Sequence, residues 1–149
     1  VSTACAAGLY SVSLARDAIL SGEADAMLVG GCDVASRVAL ACFHRLQALD
    51  PERCSPFSSA RRGTVGGEGA AFAILESERH WAERGGARAH AVVLADGWSC
   101  DGTHITAPDR EGTQVEAAIR RALAEARLDA DEVDASLQLL VRRPEQTSA

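Results

Sequence analysis

The chain has 149 residues, 47% of them hydrophobic and 24% charged, with a net charge of −6. That apolar content supports one packed domain or part of a larger one and excludes a disordered tail. The basic residues are scattered, which excludes the concentrated positive face a nucleic acid requires, and apolar runs such as Ala39–Phe43 and Ala89–Ala95 are too short to cross a bilayer.

The first residues, Val1-Ser2-Thr3-Ala4, lead directly into a helical pattern without an initiator methionine or a charged-then-apolar leader, so the start reads as internal to a longer, cytoplasmic protein. Leu9, Val12, Ala15 and Ile19 recur at helical spacing, predicting a helix to Leu20 that Ser21-Gly22 stops; Cys5 then falls at or just before its first turn. Ala24–Gly31 is a short apolar run ended by glycines, which predicts a strand buried on both faces. Helix followed by strand is the rhythm of an α/β layer fold. A second helix is expected over Val38–Leu49, ended by Asp50-Pro51, and an ordered loop over Cys54–Gly69.

Ala70–Leu75 reads as another buried strand and Glu78–Arg84 as a short helix closed by Gly85-Gly86. Ala89–Gly97 is expected to form a third strand running into the polar loop Trp98–Gly112. Gln114–Arg127 is the clearest amphipathic helix, with Val115, Ala118, Ile119, Ala122, Leu123 and Ala126 on one stripe and Glu116, Arg120, Arg121 and Glu125 opposite. Residues 135–149 form an atypical tail without apolar periodicity, as expected of a truncation or a shifted reading frame.

The five cysteines, at 5, 32, 42, 54 and 100, show no CxxC spacing and no His pair at ligand intervals, so neither a metal site nor a disulfide framework is expected. Four of them read as small buried hydrophobes. Cys5 differs in its neighbours: Ser2-Thr3-Ala4 before it and Ala6-Ala7-Gly8 after it leave a bulky acyl chain free to approach the sulfur. At a helix start, unpaired N–H groups and the positive end of the dipole stabilise a thiolate and polarise a thioester carbonyl. On composition alone, a buried cysteine among small packing residues accounts for the same segment. Glu68, between Gly67 and Gly69, has the look of a catalytic carboxylate, but a single acid without a partner is better read as a buried group that ties loop backbone or pairs with Arg61. Its glycines are read as permitting close backbone approach, since no Lys-Ser or Lys-Thr follows them to make a phosphate loop. His104, judged by residue type, is a polar loop residue, and His44, His80 and His90 are structural.

Four ordered segments together carry a family resemblance. Val1-Ser2-Thr3-Ala4-Cys5-Ala6-Ala7-Gly8 resembles the active-site segment of β-ketoacyl synthases, members of the thiolase-like superfamily. Ser21–Gly31 resembles the helix end and strand that follow it, and Ser55-Pro56-Phe57 with Gly63–Ala70 resembles the family's Pro-Phe loop leading into Gly-Glu-Gly. Asp101-Gly102-Thr103-His104-Ile105-Thr106-Ala107-Pro108 resembles its Asp-x-x-His-x-Thr-x-Pro loop.

The resemblance implies an incomplete α/β, thiolase-like αβαβα layered fold. Residues 1–88 would be the end of the N-terminal half, 89–134 the start of the C-terminal half and 135–149 the atypical tail. It also implies a chemistry. Cys5 takes an acyl group from an acyl-carrier-protein thioester, and a malonyl thioester decarboxylates and attacks it in a Claisen condensation of fatty-acid or, more in keeping with the departures below, polyketide synthesis. Cys5 N–H would be half of the oxyanion hole. Thr106 would reach the phosphopantetheine arm, which arrives on the carrier protein, so no cofactor of the chain's own is expected. His104 and Glu68 would be supporting residues, because the two family histidines that work beside the cysteine lie in His-Gly-Thr-Gly-Thr and Gly-His segments that do not occur here. A homodimer or heterodimer is implied as well. Ser58 stands where the family usually has an acid, Gly66-Gly67 loosens the next turn, and Ala6 replaces a hydroxyl beside the sulfur. Two other readings compete: a non-catalytic chain-length partner, which usually lacks the cysteine, and a degradative thiolase, which would lack the Asp101–Pro108 loop.

Overall fold

The computed structural model describes residues 1–104 and 107–134, which fall into two units, 1–31 with 72–134 and 32–71. A 3₁₀ turn, Ala4–Ala6, opens the first unit and leads into α1 (Ala7–Leu20). The helix ends where Gly22 takes φ 79°, letting Glu23 N–H return to the Ala18 carbonyl at 2.9 Å. Ser11 pins α1 to strand β1 (Ala26–Asp33): its Oγ donates to the Gly8 carbonyl at 2.7 Å and accepts the Gly30 N–H at 3.1 Å. Strand β2 (Gly69–Glu76) pairs with β1 in a two-stranded sheet. Ser77, just past β2, donates its N–H to Asp25, just before β1, at 2.9 Å, so the strands run antiparallel.

The expectation of strands buried on both faces does not hold. Ala15 and Val29 are the buried hydrophobic residues among those described, while Leu28 in β1 is 70% exposed and Ile74 in β2 71%. A strand is buried on both faces only when a layer covers each, and among the described residues β1 has β2 beside it and α1 fastened at Gly30. The expected third strand over Ala89–Gly97 is also absent. Apolar sequence becomes strand only where a neighbouring edge offers ladder bonds, and here the segment is fastened by side chains: Arg16 Nη2 reaches the Leu94 carbonyl at 3.1 Å.

The remaining helices follow their local signals more closely. In α3 (Glu78–Glu83), Ser77 caps the first turn by accepting the His80 N–H at 3.1 Å, and Arg79 pairs with Glu83 at 3.0 Å one turn on. Helix α4 (Thr113–Ala126) starts where the Asp109 carboxylate accepts the Thr113 N–H at 3.1 Å. Its inward face is the alanine side: a Cβ built on Gly97 would collide with the Ala118 carbonyl oxygen and lie 2.9 Å from Ala122 N. Val115 and Ile119 from the expected stripe are exposed.

In the second unit, α2 (Arg37–Arg45) stops before the Leu49 that periodicity suggested. Gln47 takes φ 52°, and the chain reverses so that Leu49 bridges Thr64, with Thr64 N–H on the Ala48 carbonyl at 2.8 Å. Gly63 permits that approach, since a Cβ there would lie 2.7 Å from Ala48 O and Leu49 C. Close approach thus occurs at Gly63 and not at Gly67 or Gly69, which have open space. Asp50, buried beside this turn, accepts the Glu52 N–H at 2.9 Å and faces Arg62 at 3.4 Å. The Glu52 N–H first, and Arg62 after it, hold its carboxyl below the usual range.

Candidate active site

Cys5 sits in the 3₁₀ turn that opens α1, exposed, with no side-chain cap from Thr3. The first backbone bond into the turn is Ala6 N–H to the Thr3 carbonyl at 3.3 Å, which leaves the Cys5 N–H at the open, positive end of the helix. The residue before the sulfur carries the strain: Ala4 has φ 51°, a left-handed conformation that costs a non-glycine residue about 1–2 kcal/mol. This sharp reversal presents Cys5 at the helix tip, and an Ala codes for no such turn, so the sequence gives no signal of it. The other four cysteines, expected to be buried, are exposed like Cys5. Cys32 lies on β1 and Cys42 on α2, whose faces are uncovered, while Cys54 and Cys100 lie in loops.

Glu68 does tie loop backbone, as one of its two expected roles: its Oε1 accepts the Ala35 N–H at 2.6 Å. It is exposed, however, not buried, and the alternative partner Arg61 donates instead to the Ser58 carbonyl at 2.7 Å. Where the family pattern would place an acid at 58, the arginine has found the backbone of the serine that replaces it. Cys5 and His104 belong to the first unit and Glu68 to the second.

His104 lies in the loop between Trp98 and α4, where its Nδ1 accepts the Ala107 N–H at 3.0 Å. An accepting Nδ1 places the proton of the neutral ring on Nε2. Thr106 lies outside the described residues. The loop is braced by carboxylates. Asp101 accepts the Thr103 N–H at 3.2 Å and the Asp109 N–H, while Asp109 accepts the Thr113 hydroxyl at 2.5 Å and the Glu111 N–H at 3.1 Å. Bonds from Thr103 first and the Asp109 N–H next lower the Asp101 carboxyl, and the Thr113 hydroxyl does the same for Asp109. A carboxyl depressed in the folded state stabilises above its unfolded value of about 4, and that contribution is lost as pH falls through the depressed value. The Asp109 and Thr113 amides are therefore expected to lose hydrogen-exchange protection below about pH 4, ahead of the α1 amides. Equal loss in both places would show that the two carboxylates do not brace the loop. Among the described residues, no group of three or more His, Cys, Asp or Glu is placed to hold a metal ion, and no helix is long and apolar enough to cross a membrane.

The model of the β-ketoacyl synthase N-terminal domain matches residues 1–80 of this sequence, and that of the β-ketoacyl synthase C-terminal domain matches residues 90–136. The chain belongs to the β-ketoacyl synthase family. It is 43% identical over 135 residues to nodulation protein E of Rhizobium meliloti, a match that covers 90% of this chain and 33% of that protein. Among solved structures, the ishigamide ketosynthase/chain length factor superposes with a TM-score of 0.83 at 47% identity, covering 90% of this chain and 32% of the other. A ketosynthase bound to a hexaketide, in complex with a type II polyketide synthase acyl-carrier protein, superposes with a TM-score of 0.81 at 31% identity, covering 90% and 35%. The fold is accordingly the thiolase-like α/β fold of ketosynthases, and the chain spans about a third of the length of the relatives it matches. Among the described residues the sheet has two strands, β1 and β2, and both carry exposed apolar residues.

Proposed function

We propose that this chain carries the acyl-accepting site of a β-ketoacyl synthase of the polyketide or fatty-acid type, with Cys5 as the nucleophile. The observation that carries the reading is the placement of an exposed Cys5 at the uncapped tip of α1, behind a left-handed Ala4. The Cys5 thiolate attacks the carbonyl of an acyl thioester, and the developing oxyanion meets the Cys5 N–H. The bond to the phosphopantetheine sulfur then breaks, and the departing thiol takes up a proton. In the condensation that follows in the whole enzyme, a malonyl thioester loses carbon dioxide and its carbanion attacks the acyl carbonyl, expelling the Cys5 thiolate. His104 and Glu68 act as supports: one holds the loop turn through Nδ1, the other holds Ala35. Thr106 is assigned to the phosphopantetheine arm. The arm belongs to the acyl carrier protein, so no resident cofactor is assigned. A dimer, with a second copy or with a chain-length partner, completes the assembly, in the cytoplasm, where exposed thiols stay reduced. A non-catalytic chain-length subunit is the second reading, and the presence of Cys5 favours the synthase over it.

All five cysteines are exposed, so burial does not single out Cys5. Limiting iodoacetamide at neutral pH, followed by peptide mapping, is expected to label Cys5 first, because it alone sits at an open helix tip. Preferential labelling of Cys42 or Cys100 would count against it as the nucleophile.

A further inference from the structure

We infer that Trp98 is a positioning residue that sets the register between the helix bearing Cys5 and the loop bearing His104. This inference rests on Cys5 being the acyl acceptor. Trp98, one of two tryptophans, is 38% exposed, yet its indole is fixed from two directions. Its ring meets Tyr10 of α1 edge-on with centroids 4.4 Å apart, and its Nε1 donates to the Oγ of the buried Ser13 at 3.2 Å and to Asp96. Asp96 is in turn held by Arg16 at 3.2 Å, whose other nitrogen pairs with Glu125 of α4 at 2.6 Å. The Trp98 carbonyl accepts from Arg121, also on α4.

From this anchor the chain runs into the loop bearing His104, whose described residues on either side are held by hydrogen bonds. Ser99 Oγ is fixed to the Gln114 carbonyl at 2.6 Å, and Asp101 and Asp109 close the loop onto Thr113. These bonds tie the described part of the loop to α4, and α4 is tied to α1 through Arg16 and Glu125; the indole adds the direct bond between the start of the loop and α1, and so sets where the His104 turn stands relative to α1. Packing alone would not need the donor: the ring contact to Tyr10 is apolar, whereas the bonds to Ser13 and Asp96 fix the rotation of the ring.

The experiment compares two reactions of the same sulfur in the 149-residue chain. Acyl transfer from an acyl-pantetheine thioester needs the loop in register; alkylation by iodoacetamide needs only the thiol. Trp98→Phe keeps the aromatic edge and removes the donor, and Ser13→Ala removes one acceptor from the other side. Each is expected to slow acylation of Cys5 about tenfold while leaving its alkylation within about twofold, as misplacement without unfolding does. A parallel fall in both rates would reduce Trp98 to a structural residue, and unchanged acylation in both variants would refute the inference. If the unsubstituted chain takes no acyl group on Cys5, the nucleophile assignment itself fails, and this shows before any variant is made.

Discussion

Incubated with an acyl-carrier thioester and a malonyl thioester, the 149-residue chain should gain the mass of one acyl group on Cys5 and release no β-ketoacyl product. Acyl transfer needs the sulfur and an N–H at the helix tip, and both are present. Condensation needs more: a second oxyanion donor, and groups that promote loss of carbon dioxide from the malonyl unit. The His-Gly-Thr-Gly-Thr and Gly-His segments that the family resemblance assigns to that work do not occur in this sequence. Losing one oxyanion donor costs about 10²–10³ in rate, and losing positioned proton-transfer groups about 10²–10⁴ more, so turnover should fall into the background. Intact-protein mass and product analysis separate the two steps. Cys5→Ala should abolish acyl uptake, while Cys54→Ala should leave it intact. Sustained condensation by the unsubstituted chain would show that a residue such as His104 does the work of the absent histidines, and acyl uptake by Cys5→Ala would displace Cys5 as the nucleophile.

The largest effect on stability is expected at Gly97. An added methyl there meets the Ala118 carbonyl oxygen, with Ala118 C and Ala122 N both at 2.9 Å, and these are backbone atoms of α4 that cannot rotate away. Helix α4 must shift as a body, straining the Arg121 bond to Trp98 and the Arg16 bond to Glu125. Overpacking of this kind costs about 3 kcal/mol, which for a chain of this length lowers the melting temperature by roughly 10 °C. Gly67→Ala is the control, since nothing lies within 4 Å of a Cβ at that position. Thermal unfolding followed by circular dichroism should show a large downward shift for Gly97→Ala and little change for Gly67→Ala. Coincident melting curves for the two would mean that α4 does not rest on Gly97.

What was written along the chain was local. The periodicity of Leu9, Val12, Ala15 and Ile19 gave α1 to within two residues at its start, and the apolar stripe of α4 gave Thr113–Ala126 almost as closely, because helix bonds close within a single turn. The place of Cys5 at the head of α1 followed from the same pattern. A loop-tying role for Glu68 was legible from a lone acid between two glycines, although the residue it holds, Ala35, is 33 positions away and could not be named. The order of four motifs was enough to point to the family.

Tertiary structure decided everything that depends on a distant partner. Ala89–Gly97 has the composition of a strand, but its backbone groups need another strand's edge, and composition does not say whether one is there. Ala24–Gly31 reads as doubly buried because apolarity records what a face prefers, while burial depends on which layers cover it; Leu28 is left open. The left-handed Ala4 is invisible in an alanine, since the turn is imposed by the structure on both sides of it. Trp98 looked like the first residue of a polar loop, yet it meets Tyr10 and Ser13 across more than eighty residues. Local bonds are fixed by neighbours in sequence and can be read from them; the register of the Cys5 helix against the His104 loop is fixed by side chains that only folding brings together.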